Sequence, residues 1–156
     1  MLAKTAAAIA DGTLGPNLRS RHPDAHEARN DAALRDYVMA LKNQYLRSTP
    51  PLSHIGYDNR LHVIRNALGT HTTISRVQGA KLKAKREIRI ASLFRTLPEA
   101  FLRMIVVHEL AHLRERDHDK AFYQLCRHMA PDYHQLEYEL RAYLCWLEIT
   151  GQAMWE

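Results

Sequence analysis

The stretch "FLRMIVVHELAHLRERDH", residues 101–118, decides how this chain is read. From Phe101 to Leu113 the polar side chains are Arg103, His108, Glu109 and His112, set in an otherwise apolar run that predicts a buried helix. At about 100° per residue, His108 and His112 lie roughly 40° apart around that helix, one turn from each other. Glu109 lies about 100° round from His108, on the flank of the same face. Two imidazoles one turn apart can hold the same Zn²⁺, which takes nitrogen ligands in tetrahedral geometry. A carboxylate beside them does not easily reach the ion, but it can reach a water held there and take its proton. Burying such groups in an apolar helix costs kilocalories unless something partners them. The HExxH pattern His108-Glu109-Leu110-Ala111-His112 is therefore read as a metal site with Glu109 as general base.

A catalytic zinc holds three protein ligands and keeps one position for water. His118 follows His112 by six residues. In an unbroken helix it would rise about 9 Å and point away from the pair. The chain must therefore turn within Arg114–Asp117, a charged segment that ends the apolar pattern, for His118 to be the third ligand. Glu137 and Glu139, on the last predicted helix, are the rivals should His118 only cap or face solvent. Tyr123, His128, Tyr133, His134 and Arg141 are candidates for stabilising a developing oxyanion.

Working outward, Thr96-Leu97-Pro98-Glu99 has capping-box spacing and predicts that the metal helix runs from about Leu97 to Arg114. A second helix is expected over Asp119–Met129, stopping before Pro131. A third is capped by Asp132 and runs to about Thr150, where Gly151 can end it. Upstream, Leu34, Tyr37, Val38, Leu41 and Tyr45 recur at helical spacing and predict an amphipathic helix over Glu27–Arg47, closed by "STPPL". Between these helices "RLHVIRNAL" (60–68), "HTTISRV" (71–77) and "KLKAKREIRIAS" (81–92) are β-branched or alternating, with Gly56, Gly69 and Gly79 as punctuation. In the last of them Lys81, Lys83, Lys85, Glu87 and Arg89 share one face. Leu82, Ala84, Ile88 and Ile90 share the other, interrupted by Arg86. The expected fold is α+β: a small antiparallel or mixed sheet of about three strands, packed against the HExxH helix and further C-terminal helices. Residues 1–26 read as a mobile arm with at most a short helical piece, and residues 27–156 as a single domain.

With 156 residues and 18.0 kDa, the chain can bury one real core. No apolar run reaches the roughly 18 residues of a membrane-spanning helix, and "MLAKTAAAIADG" is too short and weak for a secretory signal. Cys126 and Cys145 form no CxxC pair and suit a thiol-reducing compartment, so a cytoplasmic protein without a membrane partner is expected. The formal net charge of +5 is compatible with nucleic acid or an acidic partner, and equally with an ordinary enzyme. "KLKAKR" at 81–86 could touch phosphates, although one basic strand face is more often merely solvated. Trp146 and Trp155 read as packing residues.

The stretch "VVHELAHLRERDHDKAFYQLCRHMAPDY" resembles the YgjP-like zinc metallopeptidases, whose pattern has HELxHL, a third histidine at this spacing, an aromatic pair and Pro-Asp-Tyr. "REIRIASLFRTLPEAFLRMI" is similar as well, and the resemblance covers roughly residues 60–145. It implies zinc held by His108, His112 and His118, Glu109 as general base, and a minigluzincin-like α+β fold related to the SprT-like proteases. Members commonly carry Arg-Trp-Gly-Ser-Cys before the last strand, where this chain has Arg76-Val77-Gln78-Gly79-Ala80. Metzincins share the third-histidine spacing but place glycine where Glu115 stands. Peptide deformylases take a cysteine ligand upstream of HExxH, whereas both cysteines here lie downstream. The expected function is zinc-dependent hydrolysis of an amide in a peptide or protein substrate. Two alternatives are a DNA-associated, SprT-like protease acting on tethered proteins and a non-catalytic module stapled by zinc. Mn²⁺, Fe²⁺ and Co²⁺ also suit histidine ligands.

Overall fold

A computed structural model describes residue 7, residues 12–61 and residues 86–156. The elements are α1 (Leu14–Arg21), α2 (Asp31–Tyr45), β1 (His54–Asp58), β2 (Glu87–Ala91), a 3-10 turn over Ser92–Thr96, α3 (Glu99–Ala111), α4 (Lys120–Met129) and α5 (Tyr133–Thr150). The class is α+β, as the alternation of hydrophobic periods predicts. No helix among the described residues is long and apolar enough to cross a membrane.

α2 starts at Asp31 rather than Glu27 because Asn30 supplies the cap: its side chain accepts the Ala33 N–H at 2.8 Å. Leu34 and Val38 are buried, with Tyr37, Leu41 and Tyr45 packed beside them on the face the period marks out. β1 and β2 pair in parallel, with Ile55 opposite Ile88 and Tyr57 opposite Ile90. Within β2 the predicted alternation holds, since Ile88 and Ile90 are buried while Glu87 and Arg89 are partly open. Arg89 reaches Asp58 at 3.2 Å and Glu87 at 2.8 Å on the outer side. Arg86, where the sequence alternation breaks, sits at φ +48°, a left-handed kink that leads into the strand. The strands expected at 60–68 (beyond Arg60 and Leu61) and 71–77, and residues 81–85 of the third, lie outside the described residues.

α3 is the centre of the fold. From Phe101 to Ala111 every residue except Arg103 is buried, which a helix tolerates only when other elements enclose it. α2, α4, α5 and β2 all pack on it. Its start differs from the expected capping box: Pro98 is the N-cap and no side-chain cap bond forms. Glu99 is engaged instead by the Tyr37 hydroxyl of α2. Asp132 likewise occupies the N-cap of α5 without bonding to that helix. Its carboxylate takes two hydrogen bonds from the Arg103 guanidinium, at 3.0 and 3.2 Å. Both local caps have yielded to tertiary partners. Gly151 ends α5 at φ +68°, a conformation that costs glycine nothing.

Over Leu14–Arg21 the N-terminal arm is the helix α1, packed on α5 through the buried Leu14 and Leu18. His26, also buried, bonds through Nε2 to the Phe94 carbonyl at 2.7 Å. Trp155 closes the same side, its ring against Phe101 and Tyr143 and its indole N–H on the His22 carbonyl at 2.7 Å.

Candidate metal centre

α3 carries His108 and His112 one turn apart and then stops. Its last residue is Ala111, and the His112 N–H is shared between the carbonyls of Glu109 and Leu110. The N–H groups of Arg114 and Glu115 both return to the Ala111 carbonyl, at 3.1 and 2.9 Å. The turn therefore begins at His112, earlier than the expected Arg114. Asp119 then caps α4, accepting the Phe122 N–H at 3.0 Å. Between these two ends the chain reverses and carries His118 back to the pair.

The three imidazoles form a near-regular triangle: ring centroids are 5.0 Å apart for His108–His112, 5.0 Å for His108–His118 and 4.8 Å for His112–His118. One nitrogen from each lies within 4.8 Å of the others, and the Nε2 atoms of His112 and His118 are 3.0 Å apart. Nitrogens bound at about 2.0–2.1 Å to one tetrahedral Zn²⁺ stand roughly 3.3 Å apart, so this donor set fits such an ion. His108 is fully buried, His112 half-buried, and His118 the most open of the three. Phe122, the first aromatic of α4, lies against all three rings at 5.0, 4.6 and 4.9 Å. This apolar plate was not singled out in the sequence; its signal is an aromatic one helical turn after the third histidine.

Hydrogen bonds outside the cluster set the protons. The Nδ1 of His112 lies 3.0 Å from the Glu115 carbonyl. A carbonyl only accepts, so Nδ1 carries the hydrogen and Nε2 keeps a lone pair for the cluster. Burial, reinforced by the charge His118 would carry, lowers the His112 pKa and favours this neutral form. The Nδ1 of His108 lies 2.8 Å from the Tyr133 hydroxyl of α5, a group that can accept or donate.

Glu109 is 1% exposed, and neither carboxylate oxygen has a hydrogen-bond partner among the described residues. Burial alone pushes its pKa up to about 8. A buried polar group without a partner points to a water or ion that completes it, and Glu109 adjoins His108 in the chain. The rival carboxylates lie elsewhere. Glu139 bonds His22 at 3.0 Å, and Glu137 lies 3.1 Å from His134 Nδ1. Of the oxyanion candidates, Tyr133 has its hydroxyl on His108 and His128 packs edge-on against Tyr45. His134 pairs with Glu137, and Tyr123 packs on Tyr133 and His134.

A helix-borne histidine pair, a third histidine returned by a tight turn and a buried carboxylate beside them make a candidate metal site. The family description "YgjP-like, metallopeptidase domain" matches residues 20–143, and the chain belongs to this family. It is also similar to the UTP pyrophosphatase of Escherichia coli (strain K12), with 55% identity over 149 residues, covering 96% of this chain and 89% of that protein. No solved structure matches the chain.

Proposed function

We propose that this protein is a zinc-dependent hydrolase whose substrate is a nucleoside triphosphate, UTP first among them. The observation that carries the hydrolase reading is the unpartnered carboxylate of Glu109 beside three converging imidazoles. The substrate is taken from the relative named UTP pyrophosphatase, to which 96% of the chain aligns. The sequence adds charge that suits a triphosphate. Residues 60–89 hold eight of the 22 Lys and Arg, against one carboxylate, Glu87.

His108, His112 and His118 would hold the ion. When bound, zinc supplies a Lewis acid that polarises a phosphoryl or carbonyl oxygen and makes water acidic enough to attack near neutral pH. Glu109, as the carboxylate, accepts the proton of the attacking water, a role its place beside the imidazoles allows. The water oxygen bonds to the α-phosphorus, the bond to the bridging oxygen breaks, and pyrophosphate leaves with its charge. Phe122 keeps bulk water from the rear of the imidazoles. A nucleotide substrate and two free cysteines both suit the cytoplasm.

A second reading, hydrolysis of a peptide bond, is favoured by the family description and by the HExxH placement of Glu109. There the same carboxyl would return its proton to the departing amine. One experiment separates the two. Zinc-loaded protein and its Glu109→Gln variant are incubated with UTP, the other nucleoside triphosphates and a casein digest series. Release of UMP and pyrophosphate that disappears in the variant supports the nucleotide reading. Peptide cleavage without nucleotide turnover transfers the site to the second reading, and inertness toward both overturns the hydrolase assignment.

A further inference from the structure

Behind His108, on the side away from the cluster, lies a buried polar chain that the reaction scheme does not use. Tyr133 is fully enclosed, at 0% exposed, although it bears a hydroxyl. That hydroxyl stands 2.8 Å from His108 Nδ1, and the buried Glu137 follows one turn further along the same face of α5. Glu137 is itself buried, at 7% exposed, and its Oε1 lies 3.1 Å from His134 Nδ1 at the surface. A tyrosine hydroxyl donates one hydrogen and accepts others, so the order of donation along the chain is constrained. With His108 Nε2 turned to the cluster, Nδ1 carries the ring hydrogen and donates to the Tyr133 oxygen. The tyrosine hydrogen is then free to be donated onward, away from His108.

We infer that Tyr133 and Glu137 are positioning residues for the metal. They form a relay, His108 Nδ1–H to Tyr133 O–H to the Glu137 carboxylate, that fixes the tautomer and orientation of His108. This rests on the metal reading of the triad. Histidine ligands generally donate their second N–H to a carboxylate or carbonyl, which locks the ring and raises its basicity. His112 has the Glu115 carbonyl in that role. For His108 the carboxylate stands one residue further back, with tyrosine as the link, because α5 rather than the turn passes behind it. Glu137, a rival ligand in the sequence, thus serves the ion without touching it. The alternative direction, tyrosine donating to Nδ1, would place the ring hydrogen on Nε2 and remove His108 from the ligand set.

The test compares native protein, Tyr133→Phe and Glu137→Gln. Zinc affinity is measured by competition with a chromophoric chelator, and imidazole hydrogens by ¹⁵N–¹H correlation NMR of the zinc-loaded protein. Thermal midpoints of the metal-free forms check the fold. Tyr133→Phe is expected to weaken zinc binding by roughly 10–100-fold and to erase a protected His108 Nδ1–H signal. Glu137→Gln keeps the tyrosine and its packing, so it carries the test if Tyr133→Phe does not fold; it is expected to weaken zinc less while shifting the same signal. Native affinity and an unchanged His108 signal in the folded variants would overturn the relay alone. Failure of the native protein to bind zinc would overturn the relay and the metal reading together.

Discussion

The Nε2 atoms of His112 and His118 stand 3.0 Å apart, held there by a helix that ends at Ala111 and a second that is capped by Asp119. Unless one ring donates an N–H to the other, two nitrogen lone pairs at that distance repel until a cation lies between them. The fold thus sustains an arrangement that a shared cation relieves, and it does so with the third imidazole and the Phe122 ring completing the surround.

His118 is the third imidazole that the turn brings to the pair, and it is the most open of the three. His118→Ala leaves the buried core untouched, so the folded state should keep its thermal midpoint in metal-free buffer. Its zinc affinity should fall by more than the roughly 10–100-fold that loss of an outer partner costs. Metal analysis after gel filtration, with chelator competition, checks this. A variant that retains one tightly held equivalent removes His118 from the site.

Glu109→Gln separates binding from chemistry. The amide is near-isosteric and cannot accept a proton, so metal content should stay at the native level while turnover falls by about 10²–10⁴-fold. Steady-state rates on UTP and on a peptide series, each at matched zinc occupancy, read the effect. Loss of zinc in parallel with activity would mean that the carboxylate helps to hold the ion instead.

The helices of the C-terminal half were legible because their signals are local. A 3.6-residue apolar period, Pro131 after one helix and Gly151 after another place α3, α4 and α5 to within a few residues. The HExxH face was legible for the same reason, and His118 only as a demand for a turn. What stayed hidden is non-local. β1 is five residues with Gly56 at its centre, and its pairing partner lies some thirty residues on. The capping box at Thr96 and the cap at Asp132 were plausible in sequence, yet Glu99 went to Tyr37 and Asp132 to Arg103. Phe122 lies against all three imidazoles, but an aromatic on an apolar helix face reads as core until the histidines are seen against it, and Tyr133 was marked only as an oxyanion candidate.

The Arg103–Asp132 pair fastens the start of α5 to α3, and its contribution should depend on pH. The hydrogen bonds from Arg103 hold the Asp132 carboxyl below the usual carboxylate range. A depressed folded pKa means that the stabilisation is present above the unfolded value of about 3.9 and is lost as pH falls through the folded one. Asp132 is half exposed, so solvent screening limits the pair to about 0.2–1 kcal/mol. The native protein should therefore melt slightly above Asp132→Asn at pH 7, with the gap closing as the pH falls below the unfolded carboxylate value of about 3.9. A gap that stays constant across that range would place the effect in packing, not charge.

Trp155 tests whether the C-terminal strap belongs to the same cooperative unit as the metal helix. It is 5% exposed, its ring lies 5.8 Å from Phe101 of α3 and 5.0 Å from Tyr143 of α5, and its indole N–H donates to the His22 carbonyl at 2.7 Å. Removing a buried indole from such a position costs about 3–5 kcal/mol. Trp155→Phe keeps an aromatic plate but leaves that carbonyl without its donor, a loss of about 1–3 kcal/mol. Urea unfolding should place the midpoints in the order native, Phe, Ala, with a common slope. An Ala variant that unfolds with the native midpoint would show that the strap detaches before the body does, and that Phe101 is held by α1 and α5 without it.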